Sequence, residues 1–471
     1  MGKLKDVVPA LSGDDFKAIE NMFVESKADN FLYLLRAHRK GIVDHLQVMT
    51  DLQITKNSLY VLGSRLYDKI QQYLSGDLFE SSDKILSKVH EIPEICHTQP
   101  REVAIAFLTK LEQELNSLDM HSELVLVYSA LKKVNLFSDQ YFFYSQLYNK
   151  HIAYNLSIEK SEEILGNFNK ILREYDFSRS PAYLERLRFL QKEINQHYAL
   201  HQSRQIEVIK NLVECQLQLF GRSGDDQLLN TAATLRRTEE ILSALPEGSP
   251  LKQWQICVEY LLFENAMQAG SVSEAQEYYE KILPHRARLL LSAHVAAASF
   301  FPVSEICYLQ RLNGNEKLSE LDSLQLFYDT GDLHSVMQVR IARSVCSFYK
   351  GKLKEAATEL NQLLNEYSLK DHFHVALEIK LMLIYYYIRM KDFDMAMGIH
   401  KNLVRKIKAE YSHYQNVLHL TGIFAAEIKK EGKALGAQQG EQFILFEAKN
   451  NGHCEVLRPL MSDLRLRYKS L

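Results

Sequence analysis

FYKGKLKEAATELNQLL, residues 348–364, decides the fold, because the same pattern occurs twice more in the chain. The other copies are AMQAGSVSEAQEYYEKIL at 266–283 and RMKDFDMAMGIHKNLV at 389–404. Each copy contains the end of one helix pattern, a short polar turn, and a second helix pattern with an alanine near its start. Such a pattern is typical of a helical hairpin, so the sequence predicts an array of hairpins.

Two small residue types recur at fixed positions of this pattern, and each has a structural reason. Glycine adopts the left-handed conformation that ends many helices, and alanine lets two helices cross closely. We therefore predict that the alanines are buried where the two helices of each hairpin cross. The aligned alanines, with the turn residue five positions before each, are Ala275 with Gly270, Ala356 with Gly351, and Ala396 with Lys391.

These copies resemble tetratricopeptide-like repeats over residues 250–410. The step from Ala356 to Ala396 is longer than the family's period of about 34 residues. The resemblance implies a right-handed superhelix with a concave groove that holds a peptide or protein partner. It identifies no groove residues in this chain.

The composition favours long helices joined by short loops. The chain has 471 residues, of which 46% are apolar and 24% charged, and it contains only 19 glycines and nine prolines. We predict an all-α fold, an α/α superhelical solenoid of hairpins, divided into an N-terminal helical segment (1–77), a repeat array (78–430) and an irregular C-terminal cap (431–471). Seven prolines are expected to lie between helices. They are Pro93, Pro100, Pro181, Pro246, Pro250, Pro284 and Pro302.

The sequence contains no motif for nucleotide binding or nucleophilic catalysis. The nearest metal-like group is Glu193, His197 and His201, which share a helix face, but the first and last are two turns apart. We therefore expect no metal, no cofactor and no enzymatic activity. The aromatic run Tyr141–Tyr144 is expected to fill a hairpin core.

The compartment is predicted to be the cytoplasm. A signal peptide would have a continuous apolar stretch, and the N-terminal sequence has none. The apolar run LMLIYYYI at 381–388 is too short to span a membrane. The cysteines are scattered singly, so we expect all of them to be free thiols. They are Cys96, Cys215, Cys257, Cys307, Cys346 and Cys454. No membrane partner is expected.

One alternative of another class lies at residues 42–74, whose spacing is roughly that of a helix-turn-helix. The residues that would contact DNA are Lys56, Asn57, Ser58 and Arg65, and the acidic residues that oppose this reading are Asp44, Asp51 and Asp68. Residues 1–75 carry ten basic and nine acidic side chains, and this near balance argues against a nucleic-acid partner. We expect no binding of duplex DNA at low salt. A helical cap and a dimerisation segment are the other interpretations.

The predicted function is therefore that of a scaffold or adaptor, which binds a peptide or protein partner in a concave solenoid groove. The alternative is a regulator with an N-terminal DNA-binding segment and a peptide-sensing solenoid. The sequence does not identify the partner in either case.

Overall fold

The computed structural model describes residues 13–469 with gaps at 27, 40–44, 80–82, 222–227, 247, 293, 314–331, 370–371, 411–413, 434 and 451–456, together with residues 4, 7, 8 and 11. Within these residues all regular secondary structure is helical, and no strand occurs there. The predicted all-α class is confirmed at this level. The solenoid arrangement stays a prediction.

The chain forms two compact units. Unit 1 contains Met1–Glu159 and Ile241–Gln255, and unit 2 contains Lys160–Glu240 and Ile256–Leu471. The domain boundaries predicted after residues 77 and 430 stay predictions. The helices within unit 1 are α1 (Gly13–Glu25), α2 (Asp29–Arg39), α3 (His45–Asp51), α4 (Lys56–Phe79), α5 (Asp83–Thr98), α6 (Arg101–Ser117) and α7 (His121–Val134).

A long helix, α8 (Gln140–Ser178), has residues in both units. The remaining helices lie wholly or mainly in unit 2. They are α9 (Pro181–Leu200), α10 (Arg204–Phe220), α11 (Leu228–Ser243), α12 (Gln255–Ala269), α13 (Val272–Ile282), α14 (Arg286–Leu290), α15 (Ala297–Asn313), α16 (Leu333–Tyr349), α17 (Leu353–Glu366), α18 (Phe373–Arg389), α19 (Phe393–Glu410), α20 (Val417–Lys429), α21 (Ala437–Asn450) and α22 (Met461–Tyr468).

The three sequence copies form three hairpins that end their first helix in the same way. In α12/α13 the amide of Ser271 donates to the carbonyl of Ala266 over 3.0 Å. In α16/α17 and α18/α19 the equivalent bonds, Lys352 to Ser347 and Asp392 to Tyr387, are both 2.9 Å long. This six-residue closure defines the Schellman motif. The three hairpins thus share one backbone hydrogen-bond pattern at the turn.

The turn residues take the left-handed conformation in all three copies. The φ angles are 76° at Gly270, 75° at Gly351 and 63° at Lys391. An added Cβ at either glycine would meet nothing within 4 Å, so backbone conformation, rather than space, favours glycine there. Lys391 adopts the same conformation at the steric cost of a side chain.

The three aligned alanines are fully buried. Ala275, Ala356 and Ala396 each have no exposed surface. The amide of each alanine donates to the carbonyl four residues earlier. That carbonyl belongs to the residue whose own amide closes the turn. Burial therefore agrees with the packing prediction for these positions.

A fourth hairpin of the same kind occurs in unit 1, where the glycine and alanine pattern did not predict one. Between α6 and α7 the amide of Met120 donates to the carbonyl of Leu115 over 3.0 Å, and Asp119 has a φ of 56°. The buried residue at the alanine position is Leu124. Aspartate and leucine replaced the glycine and alanine that identify the other copies.

Two expectations about helix boundaries are wrong. Pro93 lies inside α5 and Pro302 inside α15. An interior proline costs about 3 kcal/mol, and burial of the neighbouring apolar side chains, such as Phe301 and Val303, offsets that cost. Residues 431–471, expected to be irregular, contain the helices α21 and α22, and the role of this region as a cap stays a prediction.

Among the described residues no disulfide joins any two of the cysteines, which are Cys96, Cys215, Cys257, Cys307 and Cys346. Four of these five are buried. Cys454 lies outside the described residues.

Candidate binding sites

Unit 1 carries a cluster of exposed apolar side chains at the α7–α8 turn, which we name the aromatic surface. It consists of Leu136, Phe137, Phe142 and Phe143. Phe137 is 99% exposed and Phe142 is 71% exposed. Single exposed apolar residues are common, but three exposed phenylalanines within seven residues of sequence are an unusual concentration.

Hydrogen bonds hold the turn that presents Phe137. The Arg101 guanidinium donates to the Val134 carbonyl over 2.7 Å and to Asn135 Oδ1 over 3.0 Å. Asn135 is buried, and its side chain donates to the Leu131 carbonyl. The Ser138 hydroxyl closes the turn by donating to the Asn135 carbonyl over 3.1 Å. Phe137 therefore projects from a turn with a defined hydrogen-bond pattern.

The prediction that residues 141–144 fill a core is wrong for Phe142 and Phe143. On the same helix Tyr144, Leu147 and Tyr148 pack against the core formed with α5–α7. Their spacing places them on one helix face. Phe142 and Phe143 lie off that face. Aromatic content alone could not reveal which face was covered.

Unit 2 contains a second candidate, a cavity that we name the polar pocket. It has an empty volume of about 400 Å³, including the part open to solvent. The walls come from the end of α8, the end of α10, and from α12, α15 and α16, with Arg458 completing the lining. Gln268 and Arg458 are half-buried, which places the opening of the pocket near them.

Four charged side chains line the polar pocket: Asp176, Arg179, Glu264 and Arg458. Arg179 and Asp176 form an ion pair of 2.7 Å, with both side chains more than nine-tenths buried. Arg458 donates to the Ser304 hydroxyl over 2.8 Å. The formal charges of the two carboxyl groups and the two guanidinium groups thus sum to zero in this cavity.

Glu264 is fully buried on α12, one turn after Tyr260. The pKa of the Tyr260 hydroxyl is raised well above its usual range, first by burial and then by the neighbouring Glu264 carboxylate. The phenol therefore stays protonated over the physiological pH range.

Two polar atoms of the pocket lining have no hydrogen-bond partner. They are the Ser299 hydroxyl and the Gln338 carbonyl oxygen. Ser299 is 1% exposed and Gln338 is 2% exposed. The Gln338 amide nitrogen lies 3.4 Å from an Asp176 carboxylate oxygen, which orients the amide. Buried polar atoms rarely remain unsatisfied, because the lost hydration costs about 1–3 kcal/mol.

The metal-like group does not form a metal site. Glu193 makes an ion pair with Lys160 over 3.6 Å, and His201 lies just beyond the last residue of α9. The His197 and His201 ring centroids are 5.2 Å apart. Among the described residues, no group of three or more His, Cys, Asp or Glu side chains has the arrangement of a metal site.

The proposed DNA-contacting residues Lys56, Asn57, Ser58 and Arg65 are all exposed on α4. The opposite face of this helix packs into the N-terminal core through Leu59, Leu66 and Ile70, with Leu62 half-buried beside them. Asp51 is exposed and accepts a hydrogen bond from Tyr33. Asp44 and the Asp68 side chain lie outside the described residues. This arrangement fits both a cap and a DNA reader, so the absence of duplex binding stays a prediction.

Over the described residues, none of the helices has both the length and the apolar character needed to cross a membrane. Comparisons with protein-family models, with curated proteins and with solved structures each found no match to this chain.

Proposed function

We propose that this chain is a tetratricopeptide-like interaction protein that binds a protein partner without a covalent step. The observation that carries the proposal is the aromatic surface. Aromatic side chains are enriched in protein interfaces, where they often act as anchor residues. The repeated hairpin turns support the resemblance to helical repeats, whose usual role is recognition.

We assign the partner contact to unit 1, because the hairpins of unit 2 already contact other parts of the chain. In unit 2 the first helices of the hairpins contact other segments of the same unit. Phe177 of α8 stacks on His334 of α16 at 4.3 Å, and the Leu457 amide donates to Glu378 of α18 over 2.8 Å. Part of the surface of these first helices in unit 2 is therefore covered by the chain itself.

The partner has an apolar pocket that receives the Phe137 ring. Because hydrogen bonds fix the turn, its backbone loses little conformational freedom when Phe137 binds, which favours affinity. Phe142 and Phe143 then cover the edge of the contact and exclude water from it. A second copy of this chain is the competing occupant.

Replacing Phe137 and Phe142 by serine is expected to abolish partner capture. Loss of two anchors costs about 2 kcal/mol or more each, about 4 kcal/mol together, so the dissociation constant should rise roughly 700-fold. The measurement is a comparative pull-down from native lysate, followed by titration of the captured protein. The matched control is Phe189→Ser/Leu200→Ser, which changes two exposed apolar side chains of unit 2.

The proposal fails if the captured protein binds the Phe137→Ser/Phe142→Ser variant as tightly as the wild type. Sedimentation of the purified chain separates the two occupants. A concentration-dependent dimer that the double variant abolishes would identify a second copy, rather than a different protein, as the occupant.

A further inference from the structure

Two histidines contact each other inside unit 1, where α7 and α8 pack together, and neither belongs to the aromatic surface. His121 is the first residue of α7, and His151 lies in α8. Their Nδ1 atoms are 3.3 Å apart, and their ring centroids are 5.2 Å apart. His151 is 5% exposed and His121 is half-buried. The contact is therefore a hydrogen bond between two imidazoles that are largely shielded from water.

Aromatic rings line this histidine pair. The Tyr128 ring centroid lies 5.0 Å from that of His151, and the Tyr154 centroid lies 5.5 Å from that of His121. Burial among these side chains removes the water that would solvate an imidazolium. Burial accordingly lowers the pKa of His151 from 6.5 to about 4, and it also lowers the pKa of His121. Both rings are therefore neutral at physiological pH.

Charged groups reach the pair from the neighbouring elements. Asp119, in the turn before α7, favours a proton on His121, whereas Lys150 of α8 disfavours a proton on either ring. On the α6 side, the Glu112 carboxylate accepts a hydrogen bond from the Tyr128 hydroxyl over 2.8 Å. Because the pKa of His121 is lowered in spite of Asp119, the attraction by this carboxylate does not outweigh burial.

The contact itself limits the number of protons that the pair can hold. A neutral imidazole has one N–H donor and one acceptor nitrogen, whereas an imidazolium has two donors and no acceptor. One Nδ1 can therefore donate to the other only while at least one of the two rings is neutral. When both rings are protonated, two N–H groups and two positive charges face each other, and the hydrogen bond is lost.

The packing of α7 on α8 nearer the turn is apolar. Val127 and Leu131 of α7 and Leu147 and Tyr148 of α8 belong to one core cluster. All four are closer in sequence to the α7–α8 turn than the histidines are. Acid therefore acts on the end of the hairpin away from the turn, where the histidines lie, and leaves the apolar end packed.

We propose that the contact between His121 and His151 is a pH-sensitive switch, which keeps the end of the α7/α8 hairpin away from the turn packed at neutral pH and opens it when both imidazoles take up protons. In the opened state both rings are in water and titrate as ordinary histidines. Since the folded pKa of His151 lies below the unfolded value of 6.5, the stabilisation is complete above about pH 6.5 and is lost as pH falls towards 4.

The test is amide hydrogen exchange of the full chain at pH 7.5 and pH 5.0, corrected for the pH dependence of the chemical exchange rate. At pH 5.0, replacing a buried imidazole with a pKa of about 4 by an exposed one with a pKa of 6.5 favours opening by about 30-fold. Protection of residues 122–128 and 149–156 should therefore fall at least about tenfold, while residues 130–147 should change less than about threefold.

Two outcomes of the exchange experiment would overturn the proposal. Unchanged protection of residues 122–128 and 149–156 at pH 5.0 would show that the histidine contact does not respond to acid. Equal loss of protection in residues 130–147 would show that unit 1 unfolds as a whole instead of opening at one end.

Variants test whether the histidines cause the effect. The double variant His121→Phe/His151→Phe keeps two rings in place and removes both titrating groups, so the acid-induced loss of protection should shrink to less than about threefold. His151→Gln, whose amide can still bond to His121, should reduce the loss at least about threefold, and it serves if the double variant does not fold. The control is His97→Phe, which changes an exposed histidine of α5 and should behave as the wild type. A loss as large as that of the wild type in the histidine-pair variants would contradict the proposal.

Discussion

In a variant carrying Arg286→Ala, we expect the free energy of unfolding to fall by about 3–5 kcal/mol. Arg286 pairs with Glu305, and the two side chains are 9% and 1% exposed. Tyr279 donates a second hydrogen bond to the same carboxylate over 2.9 Å. Removing the guanidinium leaves a buried charge with only the phenol to compensate it. Denaturant unfolding followed by circular dichroism measures the loss, because the one tryptophan, Trp254, lies in unit 1.

The matched control is Arg236→Ala, which removes an exposed ion pair of 2.6 Å with Glu274. Solvent screens such pairs, so the expected change is at most about 1 kcal/mol. Equal effects of the two substitutions would show that burial of the Arg286–Glu305 pair has no energetic weight.

The pH dependence of Arg286→Ala gives an independent check. Burial raises the pKa of Glu305, whereas Arg286 and the Tyr279 hydrogen bond lower it. Loss of Arg286 therefore raises this pKa further. Between the unfolded value near 4.5 and the raised value, the folded state binds a proton that the unfolded state lacks. The variant should accordingly recover stability, relative to the wild type, as pH falls from 8 towards 5.

Replacing Ala356 by phenylalanine is expected to cost about 1–3 kcal/mol. Ala356 has no exposed surface, and its carbonyl accepts a hydrogen bond from the buried Ser344 hydroxyl over 2.9 Å. A phenyl ring at this crossing must push α16 and α17 apart and strain that bond. The thermal midpoint of the purified variant measures the effect.

Lys354→Phe on the same helix is the control for Ala356→Phe, since Lys354 is exposed. Its effect should stay within about 0.5 kcal/mol. If Ala356→Phe melts at the temperature of the wild type, the hairpin alignment is wrong.

The local parts of this fold could be predicted because their causes lie within a few residues. Gly270 and Gly351 marked left-handed turns, and Ala275 and Ala356 marked close crossings. The same rule missed the α6/α7 hairpin, because its turn residue is Asp119. Local rules also failed at Pro302, where burial of the surrounding helix outweighs the lost hydrogen bond.

The candidate sites could not be predicted, since each depends on which surfaces the rest of the chain covers. Asp176, Glu264, Gln338 and Arg458 are far apart in the sequence and meet only in the folded unit. No short-range periodicity in the sequence indicates that these four residues lie close together. The exposure of Phe142 was equally hidden, because a helical pattern shows that a residue is apolar but not whether another helix packs on it.

The composition of unit 1 from Met1–Glu159 and Ile241–Gln255 has a consequence for synthesis on the ribosome. The first segment emerges well before the second, with residues 160–240 between them. At about 5–20 residues per second, the delay is several seconds. During that interval the Leu118 carbonyl lacks the hydrogen bond that it accepts from the Ser249 hydroxyl in the finished protein. The first 159 residues therefore remain incompletely packed, and accessible to chaperones, until the second segment of their unit has been translated.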